Sequence, residues 1–125
     1  MEFDLVGEKI DHFTALNIID QFKDVDYRPL SLIGIELDQS KKPHYILLSD
    51  GDHSKQPTAD QLEKLLKKNF HYELARDLGQ LDSAEVVHVD DAWNHYKCLA
   101  MHNGMIEGNI KPEPLKKIKY GFDLI

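Results

Sequence analysis

Two apolar runs, SLIGIEL over 31–37 and HYILL over 44–48, stand on either side of six turn-forming residues, Asp38, Gln39, Ser40, Lys41, Lys42 and Pro43. Aliphatic strands broken by a short polar segment specify a β-hairpin. Along the first run Leu30, Leu32, Gly34 and Glu36 alternate with Ser31, Ile33, Ile35 and Leu37. The second set is the more apolar and is expected to face the core. Gly34 suggests a bulge or a close helix contact.

Helical and extended segments surround this hairpin. Glu2 to Ile10, with Phe3, Leu5 and Val6, reads as a short edge strand. From His12 to Val25 the residues Ala15, Leu16, Ile18, Ile19 and Phe22 recur at three and four, which predicts an amphipathic helix. Arg28 and Pro29 interrupt it, because proline disfavours helical geometry in the residue before it. Thr58 followed by Gln61 forms a capping box ahead of Leu62, Leu65, Leu66 and Phe70. His71 to Leu81 reads two ways: Phe70, Tyr72 and Leu74 alternate like a strand, whereas Leu74, Leu78 and Leu81 favour further helical turns ending near Gly79, the preferred reading. Ala84 to Val89 predicts a strand. Asp90 or Asp91 caps a helix running through Asn103 to Gly104, and Ile118, Tyr120, Phe122 and Leu124 alternate like a last strand.

In order these elements read β, α, β, β, α, β, the order of a ferredoxin-like unit, with a helix and a C-terminal strand added. The expectation is an α+β fold: one domain over residues 1–125, with a mixed or antiparallel sheet and helices on one face. A length of 125 residues with 42% hydrophobic content supports one core. The fold class hosts many unrelated functions, so it does not by itself assign one.

Charge and cysteine usage narrow the functional classes. A formal charge of −7 at pH 7, spread in mixed patches, disfavours a nucleic-acid footprint. Lys111, Lys116, Lys117 and Lys119 form a local basic patch, read as a solvated face with no interleaved aromatics. No apolar run is long enough to span a membrane, and the start does not read as a signal peptide. Cys98 is the single cysteine, so no internal disulfide forms and a cytoplasmic location is expected.

Two polar clusters could carry chemistry. Asp91, His95, Cys98 and His102 fall at i, i+4, i+7 and i+11, one stripe of a helix and all metal-ligand types. The stripe climbs roughly 16 Å, so a single ion could use two or three of them at most. The plainer reading gives Asp91 a favourable place in the first helical turn, packs Cys98 and lays the histidines over the core edge. The second cluster is Ser49, Asp50, Gly51, Asp52, His53 and Ser54, directly after the second hairpin strand. Carboxylates at a strand end can hold a divalent cation or serve as acid and base. An Asp-Gly turn is also an ordinary way to leave a strand. The aromatics Trp93, Tyr96, Tyr120 and Phe122 are expected chiefly in and around the core.

With no complete catalytic constellation, the expected function is non-enzymatic: an accessory or regulatory protein acting through a protein partner or as a homo-oligomer, a dimer included, without a cofactor. The alternative is a metal-binding protein or metal-assisted hydrolase using Asp50, Asp52 and His53, or Asp91, His95 and Cys98.

Overall fold

The hairpin forms as the sequence predicts. In the computed structural model, which describes residues 9–37 and 42–121, strand β1 (Tyr27–Leu37) pairs antiparallel with β2 (His44–Gly51). Around them the chain runs α1 (His12–Phe22), β1, β2, α2 (Ala59–Leu66), α3 (Phe70–Asp77), β3 (Glu85–His88), α4 (Ala92–His102) and β4 (Leu115–Tyr120), with short 3-10 turns at His53–Lys55 and Glu107–Asn109. The result is an α+β domain with a mixed four-stranded sheet in the order β3-β2-β1-β4. Of the expected first strand, Glu2 to Ile10, the residues up to Glu8 lie outside the described residues, as do Phe122 and Leu124, and Lys9 and Ile10 form a turn rather than a strand.

Pairing departs from the ferredoxin-like arrangement although the order of elements resembles it. β3 lies directly beside β2 and parallel to it, and β4 lies parallel to β1 at the other edge. The helices are also not confined to one face. Leu32, Tyr45 and Leu47 point into a core with α1, α2 and α3, while Ile33, Ile35, Ile46, Leu48 and Ile118 meet α4 on the opposite side. The cause lies in the sequence of the hairpin. Both alternating sets are apolar, so the central strands are buried on both faces and each face requires a cover. A bulge sits between Pro29 and Ser31 rather than at Gly34. It offsets the alternation, so that Leu30 packs on the α4 side although Leu32 faces the other three helices.

Helix ends follow local chemistry closely. Asp11 caps α1 by accepting the Thr14 N–H at 2.7 Å, and the Thr58–Gln61 capping box is complete. The long helical reading from Thr58 to Gly79 divides at Lys67–Asn69 into α2 and α3. Gly79 and Gly104 take positive φ just past α3 and α4. There the N–H groups of Gln80 and Met105 return to Ala75 and Ala100, closing Schellman motifs.

Glu63 ties the crossover from α2 to β3 together. Its buried carboxylate accepts from the Tyr72 hydroxyl, from the Ala84 N–H at 2.7 Å and from Arg76 Nε at 3.1 Å. Burial pushes this carboxyl upward, and the hydrogen bonds from Tyr72, Ala84 and Arg76 more than reverse that, leaving it below the usual glutamate range. Burial and the adjacent carboxylate raise the Tyr72 phenol in turn.

Candidate functional site

The two polar clusters of the sequence meet at one end of the sheet. Asp50 closes β2 opposite Arg28 on β1, and Arg28 Nε donates to its Oδ1 at 2.6 Å. The other oxygen, Oδ2, accepts the Ala92 N–H at 2.9 Å, in the first turn of α4. Asp91 caps that helix by accepting the Asn94 N–H at 3.1 Å, and His95 Nδ1 donates to the Asp91 carbonyl at 3.1 Å. The ends of β2 and β3 and the start of α4 therefore form one polar rim, at the carboxyl ends of two parallel strands where open sheets present their ligand-binding loops.

His88 joins this rim, and reading the sequence alone left it out. It pairs with Ser49 in the β2–β3 ladder, and its Nε2 donates to the Gly51 carbonyl at 2.7 Å. Its ring lies against that of His53, with centroids 4.9 Å apart and planes tilted by 33°. Seven residues separate His88 from His95, but the neighbourhood of His88 arises from strand pairing, which no local spacing encodes. Asp52 caps the His53–Lys55 turn, where the Ser54 hydroxyl and N–H hold its carboxyl below the usual range. Behind the rim, the buried Tyr27 hydroxyl donates to Ser49 Oγ at 2.7 Å.

The remaining members of the helical stripe do not join it. Cys98 is exposed rather than packed, and His102 ends α4 on its exposed surface. Among the described residues no group of three or more His, Cys, Asp or Glu could hold a metal ion. Tyr96 is buried beneath α4, where burial first and Glu113 second push its phenol up to about 12. Trp93 stacks on it at the core edge, with Lys97 over the indole.

A second surface is apolar. Phe70 and Leu74 on α3 and Leu78 at its C-cap, successive at i, i+4 and i+8, are 66%, 43% and 63% exposed. Of the helically spaced Leu74, Leu78 and Leu81, only Leu81 is buried. On α1, Phe13 is 76% exposed and Leu16 also reaches the surface. The Thr14 hydroxyl donates to Asn69 Oδ1 at 3.2 Å, which ties the start of α1 to the N-cap of α3. Beside them a groove of about 660 Å³ runs between α1 and α2, lined in part by Asn17, Ile18, Leu65 and Lys68.

No helix among the described residues is long and apolar enough to cross a membrane. A family model described as the GH3 family C-terminal domain matches residues 21–118. No curated protein and no solved structure matches the chain.

Proposed function

The chain belongs to the GH3 family C-terminal domain family, and from that premise we propose that it works as a non-enzymatic accessory domain that acts by binding a protein partner in the cytoplasm. The observation that carries this reading is the row Phe70, Leu74 and Leu78, exposed along α3 and its C-cap. Contiguous apolar surface on a small domain marks a contact with another macromolecule more often than scattered exposed side chains do.

The metal-assisted alternative has less support. Asp50 commits one oxygen to Arg28 and the other to Ala92, and Asp91 is engaged as a helix cap. Both carboxylates already serve the architecture, so a cation would have to displace those bonds to recruit them.

In-cell cross-linking with mass spectrometry, joined to size analysis of the extract, tests the accessory reading. A defined complex cross-linked next to α1 and α3, and lost in a Phe13→Ser/Leu74→Ser double variant with an unchanged circular dichroism spectrum, is the expected result. A chain that migrates alone in every extract overturns it.

A further inference from the structure

We propose that the outer face of α3 receives a helix of the partner whose apolar side is flanked by basic residues. This rests on the accessory reading and adds to it the chemistry of the partner. At about 100° per residue, Phe70, Leu74 and Leu78 occupy an arc of about 80°, with the buried Tyr72 and Ala75 on the other side of the helix. Glu73 and Asp77 lie along one border of that arc and form no ion pair among the described residues. Arg76, the one basic residue of α3 besides His71, turns inward to Glu63 and to the Leu81 carbonyl, so it does not neutralise them.

The face is thus an apolar row two turns long whose acidic border forms no ion pair among the described residues, with the exposed His71 at the other border and the Lys42 ammonium held at the Gly79 carbonyl past its end. Its length and spacing suit the packing of an amphipathic helix, whose anchors repeat at three and four. The border selects the charge of the occupant. A second copy would bring the same carboxylates against these, in a chain of net charge −7. An anionic lipid surface would meet the same repulsion. A helix with Lys or Arg beside its apolar row places opposite charge on Glu73 and Asp77.

The test titrates the whole chain with three synthetic peptides of about five helical turns. One carries a leucine row flanked by lysines, one the same row flanked by glutamates, and one a scrambled order of the lysine peptide. Fluorescence anisotropy gives affinity and amide chemical shifts locate the contact. The lysine-flanked peptide is expected to bind on α3 at least about tenfold more tightly than the other two. Leu74→Ser should weaken it, and Glu73→Lys/Asp77→Lys should reverse the preference between the flanked peptides. Equal binding of the three peptides, shifts confined to the α1–α2 groove, or self-association abolished by Leu74→Ser would each overturn the proposal. Contact in the groove would leave the accessory reading standing, whereas failure of that reading shows separately, as a chain that stays alone in extracts.

Discussion

The Asp50 carboxylate accepts the backbone N–H of Ala92 at 2.9 Å, so the penultimate residue of β2 holds the first turn of α4. A helix start has donors without intrahelical partners, and here one is satisfied by a side chain from a different element. The bond links the central strands to α4, among the described residues the only α-helix on its side of the sheet. Asp50→Ala would leave the buried Ala92 N–H without this acceptor and should cost about 1–3 kcal/mol in urea unfolding. Arg28→Ala removes a partner whose side chain is 64% exposed, and should cost under about 1 kcal/mol. Equal losses for the two variants would show that the ion pair, rather than the helix contact, is what matters at Asp50.

Glu63 predicts the acid limb of the stability profile. Its folded-state carboxyl lies below the ordinary value of 4.5. Its contribution is therefore fully present above that value and is withdrawn as pH falls through the lower folded one. Glu63→Gln should destabilise the protein at neutral pH by about 3 kcal/mol, because Arg76 loses its carboxylate partner. Below pH 4 the gap between variant and parent should narrow. Denaturant midpoints measured across that range decide it, and a constant gap would rule Glu63 out as the source.

Two glycines with similar backbone angles should respond unequally to alanine. Gly51 has φ 96° and Gly104 φ 92°. A Cβ on Gly51 would overlap the Asp26 carbonyl oxygen, whereas one on Gly104 meets nothing within 4 Å. Gly104→Ala should cost about 1 kcal/mol, the penalty of the left-handed conformation alone. Gly51→Ala should cost more than about 2 kcal/mol, since the chain must shift as well. Thermal unfolding of both variants gives the comparison directly.

Cys98 should react with a thiol reagent in the native protein, one equivalent per chain and without change in circular dichroism, because the side chain is exposed on α4. Labelling that required denaturant would contradict the exposed placement.

The sequence by itself determined the elements of this protein. Hydrophobic period set α1, α4 and the hairpin, and short-range chemistry set their ends: Thr58 with Gln61, Asp91 before α4, Gly79 and Gly104 after helices. These are interactions between residues a few positions apart, so they can be read along the chain. The candidate site was legible only in pieces. Asp50 and Asp91 stood out as carboxylates at element ends, but nothing local brought them to one rim or added Arg28 and His88.

Tertiary structure decided what depends on distant partners. β3 takes its place beside β2 through the ladder from Ile46–Glu85 to Ser49–His88, and that pairing brings the His88 ring against His53. The same packing decided which apolar residues were covered. Leu74 and Leu81 carry the same side chain, yet Leu81 enters the core as the chain returns to β3 while Leu74 faces outward. Periodicity fixes the spacing of apolar side chains on a helix, and only the position of the neighbouring elements determines whether water or protein meets them.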